Sequence, residues 1–165
     1  MKFSIFSLSV CLFYIGHSQS EAETISFINT KLSPCGTQMP IPGDISAPIT
    51  NSLETSSRNG EKIFLMVEEV HHQSFDGPFL VHYFNPESIV DISVTKPNDA
   101  VISLNITSRD SDIKVTSITG SIEYVKTYEL WLKCPESTVL RIEKAFEHLF
   151  EMNGAELISD DLFKN

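Results

Sequence analysis

Between residues 62 and 132 the chain falls into short apolar runs separated by turn clusters, and this rhythm restricts the fold more than any other feature of the sequence. The runs cover 62–70, 79–84, 89–95, 100–106, 112–118 and 122–132. Several alternate strictly: Ile92 and Val94 against Asp91, Ser93 and Thr95, then Ile113 and Val115 against Asp112, Lys114 and Thr116. Side chains of a strand point to opposite faces in turn, so this pattern builds sheets with one face buried and one wet. Asp76-Gly77-Pro78, Asn85-Pro86, Lys96-Pro97-Asn98-Asp99, 108–111 and Thr119-Gly120 supply the turns. The expectation is a mainly β protein, an antiparallel β-sandwich of six to eight strands.

The period changes after residue 134. Val139, Ile142, Phe146 and Leu149 follow a 3-4-3 spacing, with Ser137 as N-cap and Asn153-Gly154 as a stop. This predicts one C-terminal amphipathic helix of about 15 residues. Two heptads are too few to specify a coiled coil, so packing against the sandwich is expected. At the other end, 25–32 reads as a first short strand. Residues 34–60, with Pro40, Pro42 and Pro48 among many Ser, Thr and Gly, read as a long extended loop that closes on the Asn59-Gly60 turn. The resulting division is 1–18, 19–60 (first strand and Pro/Ser-rich loop), 61–134 (sandwich core) and 135–165 (helix and acidic tail).

Residues 1–18 read as a cleavable signal peptide. Lys2 precedes an apolar run from Phe3 to Ile15, too short for the roughly 20 residues of a membrane span. Gly16 and Ser18 place small residues for cleavage after Ser18, and Ser18 with Ser20 offers a second cut after Ser20. No later run is long enough to span a bilayer, and the closing Asp-Leu-Phe-Lys-Asn is not a retention signal. A secreted protein is expected, with the endoplasmic reticulum or Golgi lumen as the alternative. Loss of Lys2 moves the formal charge from −10 to about −11, which disfavours nucleic acid and anionic membranes as partners.

Cys11 leaves with the signal, so Cys35 and Cys134 remain in an oxidising compartment and are expected to pair. The bridge would close a loop of about 100 residues, worth up to roughly 4.7 kcal/mol in the chain-entropy model. A reactive or metal-binding thiol would want a nearby histidine, which neither cysteine has. Asn105-Ile106-Thr107 is the single N-glycosylation sequon, in a polar stretch between strand-like segments.

No motif for catalysis emerges: the chain has no G-x-S-x-G, no H-E-x-x-H and no phosphate-binding glycine loop. His71-His72 beside Glu68 and Glu69 is the one group resembling metal ligands, but neighbours on a strand face opposite ways, so only one could join a site, with His82. Glu68-Glu69 and Asp160-Asp161 read as solvated charge. Tyr124, Tyr128, Leu130 and Leu132 are expected on one buried strand face with Trp131 on the other, and burial is expected for Trp131 as well. No catalytic, cofactor or metal site is therefore assigned; an unidentified protein or ligand partner is expected.

Residues 62–134 resemble the GOLD domain of the p24 (emp24) family of the early secretory pathway. The resemblance lies in KIFLMVEEV, in IVDISVTKPNDAVI, where a strand runs into a Pro-Asn-Asp turn, and in GSIEYVKTYELWLKC, a tyrosine-rich last strand ending in cysteine. It implies a β-sandwich with one disulfide from an early cysteine to the last strand, a helix corresponding to the start of the family's coiled coil, and a role as a luminal cargo adaptor. The membrane helix of that family has no counterpart after residue 134.

Overall fold

The computed structural model describes residues 20–41, 45–72 and 75–158. Among these residues nine strands and two α-helices form two antiparallel sheets and a helical pair. The larger sheet contains β1 (Gln38–Ile41), β2 (Ile45–Arg58), β3 (Glu61–His72), β4 (Phe75–Phe84), β7 (Ile113–Ser117) and β8 (Ile122–Val125), side by side in the order β1-β2-β3-β4-β7-β8. The smaller contains β5 (Ile89–Asn98), β6 (Val101–Ser108) and β9 (Thr127–Leu132), with β6 in the centre. The mainly β, antiparallel two-sheet architecture and the C-terminal helix follow the expectation, with nine strands in place of six to eight.

Alternation sets which face is buried. On β2 the inward residues are Ala47, Ile49, Asn51 and Leu53; on β3 they are Phe64, Met66 and Val70 with Glu68 between; on β9 they are Tyr128, Leu130 and Leu132. Asn59, with φ 55°, and Gly60, with φ 86°, form the two-residue hairpin from β2 to β3, where left-handed backbone matches the strand twist. β3 and β4 slip register between Glu68 and Glu69, a bulge that leaves Phe79 without a partner across the ladder.

The N-terminal segment differs from expectation. Residues 25–32, read as a strand, belong to helix α1 (Glu21–Leu32). Ser20 and Glu23 form a reciprocal capping box, and Thr24, Ile28 and Leu32 recur every four residues as its buried stripe. The β-branched content suggested a strand, but period and cap decide. Residues 34–60 are likewise no loop: β1 and β2 occupy most of that stretch. Pro48 precedes the ladder with β3, which begins at Ile49, so its missing N–H removes no bond there. Asn29 of α1 donates Nδ2–H to the Leu53 carbonyl at 2.9 Å and accepts the Leu53 N–H at 2.7 Å, satisfying the outer edge of β2 as a neighbouring strand would.

The second helix, α2 (Glu136–Met152), begins one residue before the expected Ser137 cap, with Pro135 at N-cap, and ends at Asn153-Gly154. It buries Val139, Ile142, Phe146, Leu149 and Phe150 against α1 and the sheets, so its apolar stripe belongs to the core. Phe150 meets Phe64 edge-on at 5.6 Å and lies 6.1 Å from Phe84; all three rings are fully buried.

Cys35 and Cys134 are disulfide-bonded with Cα atoms 4.9 Å apart, tying the end of α1 to the start of α2. The Lys133 N–H donates to the Cys35 carbonyl beside the bridge. Gly36 follows immediately, and a Cβ there would stand 2.5 Å from the Ile49 carbonyl oxygen, so only glycine lets the bridge lie this close to β2.

Candidate functional site

The smaller sheet and the two helices together do not cover the whole inner face of the larger sheet. What remains is a cleft of about 470 Å³ between β9 and the inner faces of β2, β3, β4, β7 and β8, within the range of small-molecule sites. Register builds its floor. One row across the sheet runs Leu53, Met66, His82, Val115, Glu123, and the next runs Asn51, Glu68, Leu80, Ser117. Asn51, Glu68 and His82 therefore gather on three adjacent strands, each one step along from a core side chain.

His82 is buried, and its Nε2 lies 2.9 Å from Oε1 of Glu68. The Tyr128 hydroxyl, reaching across from the smaller sheet, donates to the same oxygen at 3.2 Å. The Tyr128 ring lies over His82 with centroids 4.1 Å apart. Burial first, then the charge of Glu68 and its hydrogen bond, hold the Tyr128 phenol well above the usual tyrosine range, so at neutral pH it is a hydrogen-bond donor to Glu68. His82 Nδ1 and Asn51 Oδ1 are closed off from solvent and have no hydrogen-bond partner among the described residues. At the rim, Trp131 is 56% exposed and its Nε1–H donates to Glu129 at 3.2 Å.

Several expectations change here. Trp131 is exposed rather than buried. Tyr124 is also exposed, because 122–132 is two strands: the chain leaves the larger sheet at Val125 and joins the smaller at Thr127, with the Lys126 carbonyl taking the Ser108 N–H between them. Glu68 is no solvated charge but the acceptor at the centre of a part-buried network. His71 is exposed and bonded to Thr50 at 2.9 Å, whereas His82 is turned inward, so the two histidines are not brought together. His72 continues β3. Among the described residues no group of three or more His, Cys, Asp or Glu is placed to hold a metal ion. Asn105 sits in the middle of β6, paired with Ser93 and Glu129, and not between strands; its Nδ2 donates to Thr95 Oγ1 at 3.1 Å. Ser18 and Asp160-Asp161 lie outside the described residues.

Sequence reading named Glu68 and His82 only as possible partners of His71 or His72 around a metal, and passed over Asn51. The inward parity of Glu68 with Phe64 and Met66 was the available signal.

The fold and the cleft define a two-sheet antiparallel β protein with a helical plug and an inter-sheet opening lined by polar and apolar side chains. No family model matches the chain, and neither the characterised proteins nor the solved structures yield a match. No described helix is long and apolar enough to cross a membrane.

Proposed function

We propose that the chain is a secreted, non-catalytic binding protein whose partner, an extracellular ligand or protein, engages the cleft beside β9. One observation carries the reading: a ligand-sized opening, lined by Asn51, Glu68 and His82 as well as apolar side chains, stands beside a core of buried aromatic and aliphatic side chains. Glu68 and His82 resemble two members of a catalytic triad, but among the described residues the hydroxyl bonded to the pair, Tyr128, donates to Glu68 and not to a nitrogen of His82, where a nucleophile would stand.

The disulfide is compatible with an extracellular or luminal location. Export after cleavage behind Ser18 also suits α1, because it leaves Ser20 in place to cap the helix, whereas a cut after Ser20 would remove the cap. The alternative is a p24-like luminal cargo adaptor. The burial of the α2 stripe supports the exported form, since the helix then offers no free seam for a coiled coil.

Two measurements test the reading. Protein-observed NMR with cationic, neutral and anionic fragments is expected to give saturable shifts centred on Asn51, Glu68, His82 and Trp131 for at least one class; shifts scattered over the surface or absent throughout would sink the cleft as the binding site. A tagged chain is expected in the medium, beginning at Gln19, with any Asn105 glycan processed to endoglycosidase H resistance. Intracellular retention of folded protein with an immature glycan would favour the adaptor.

A further inference from the structure

A sheet edge presents unpaired backbone groups, and proteins usually blunt it by keeping the edge strand short, breaking its register or covering it. Among the described residues four strands stand at sheet edges, and three are blunted in these ways. β1 and β8 have four residues each. β5 breaks register with β6 near both ends and contains Pro97, and its Val90 carbonyl accepts the Ile158 N–H. β9 is different: its six residues include no proline and pair with β6 in unbroken register. The Lys126 carbonyl accepts the Ser108 N–H on the β6 side, and the Lys133 N–H donates to the Cys35 carbonyl on the other. Backbone groups alternate sides along an antiparallel strand. Tyr128, Leu130 and Leu132 therefore bond β6, while Thr127, Glu129 and Trp131 turn both N–H and C=O to the opposite side. Among the described residues no backbone group bonds them there. After the one rung at Cys35 the chain turns away, and the Thr37 carbonyl accepts the Ile49 N–H of β2. Beyond that rung lies the cleft. Five consecutive residues, Thr127 to Trp131, line it, whereas an opening on one face of a strand would touch every second residue.

Resting on the cleft being the binding site, we infer that its occupant is an extended, basic segment of a partner protein, which pairs with the free edge of β9 as a fourth strand of the smaller sheet. Matching the edge from Thr127 to Trp131 takes about five residues. Paired residues share a face of the sheet. Those opposite Tyr128 and Leu130 face inward, where Leu80 and Val115 line the cleft, and are apolar. Those opposite Thr127, Glu129 and Trp131 face outward and are basic. Glu129 is an exposed carboxylate there, the indole of Trp131 is open to stacking by a cation, and none of the described lining side chains is lysine or arginine. A second copy of β9 matches less well: the register that bonds Thr127, Glu129 and Trp131 of both copies sets Glu129 directly opposite its own counterpart.

The probe is acetyl-Lys-Val-Lys-Val-Lys-amide, whose lysines fall opposite Trp131, Glu129 and Thr127 in antiparallel pairing. Two isomers carry one N-methyl group, either on the central lysine, whose N–H would face β9, or on the second valine, whose N–H would face away. Saturable binding is expected, with amide hydrogen exchange slowed at Glu129 and Trp131. Methylation of the central lysine is expected to weaken binding at least about tenfold, and methylation of the valine less than about threefold. Glu129→Pro removes an edge N–H without breaking a bond to β6 and is expected to weaken binding at least about tenfold, with Tyr128 and Leu130 amides still protected; Glu129→Gln should weaken it about threefold. The methylated pair makes the same test on the unaltered protein. Equal binding of the two isomers, or binding that leaves the Glu129 and Trp131 amides unprotected, overturns strand pairing and leaves the cleft a binding site. Equal or tighter binding of acetyl-Glu-Val-Glu-Val-Glu-amide overturns the basic segment. A dimer in sedimentation that protects the same amides without peptide assigns the edge to a second copy and overturns the partner segment. Absence of saturable binding by every peptide overturns the inference, and the cleft as a binding site falls with it only if the NMR fragments also fail.

Discussion

The inner face of the larger sheet has two ends built from the same three strands and finished in opposite ways. Toward the hairpin of β2 and β3, inward positions are Leu53, Phe64, Met66 and Phe84, sealed by Phe146 and Phe150 of α2. One step along, the inward positions are Asn51, Glu68 and His82, and neither α1 nor α2 covers them. The sheet, the register and the pleat are continuous between the two; only side-chain chemistry changes. Packing is complete at the first end, and hydrogen bonding is left incomplete at the second. Stability is thus concentrated in the helical plug, while the cleft keeps polar groups that a purely structural core would have replaced with apolar ones.

The sharpest way to break this contrast is through the plug. Phe150→Ala removes a ring that touches Phe64, Phe84 and Phe146 and should cost about 3–5 kcal/mol in denaturant unfolding; a cost below about 1 kcal/mol would mean the plug is not the stabilising end. Next comes the covalent tie. Cys35→Ser with Cys134→Ser should cost about 2–4 kcal/mol, measured the same way.

At the polar end, Glu68→Leu strips the acceptor from His82 and from the Tyr128 hydroxyl and should cost about 1–3 kcal/mol. Ser20→Ala should cost about 0.5–2 kcal/mol through loss of the α1 cap. The Glu23 carboxyl is held below its ordinary range by the Ser20 N–H first and the Ser20 hydroxyl second. A depressed carboxylate stabilises the fold above its unfolded pKa and loses that effect as pH falls through the folded one. The Ser20→Ala difference should therefore shrink on acidification. Asn51→Leu closes the series: it replaces an unpaired buried acceptor by an apolar group of similar size and should change stability by no more than about 0.5 kcal/mol, or raise it. A large loss would show Asn51 to be structural and erase the contrast.

What could be foreseen from sequence divides along similar lines. The strands between residues 62 and 118 and helix α2 announce themselves because their apolar residues recur at the period of the element they form. α1 was hidden by Ile25 and Ile28, whose branching favours strands, although Ser20 and Glu23 stand at capping-box spacing. β2 was hidden by Pro48 and its many Ser and Thr residues, so Asn51 went unnoticed inside an expected loop. The Glu68 and His82 contact depends on Met66 pairing with His82 and Glu68 with Leu80. That is a property of neighbouring strands, which no pattern along one strand contains. Likewise, the passage at Lys126 from one sheet to the other breaks the parity that placed Tyr124 with Tyr128.

The disulfide joins residues 99 positions apart in sequence, and Cys35 is fully buried once the fold is complete. During synthesis Cys35 therefore waits while every strand is made, because its partner emerges only after β9. A chain halted before that point carries an open thiol near its leading end. Closure of the bridge thus requires that the whole segment carrying both sheets has already been made.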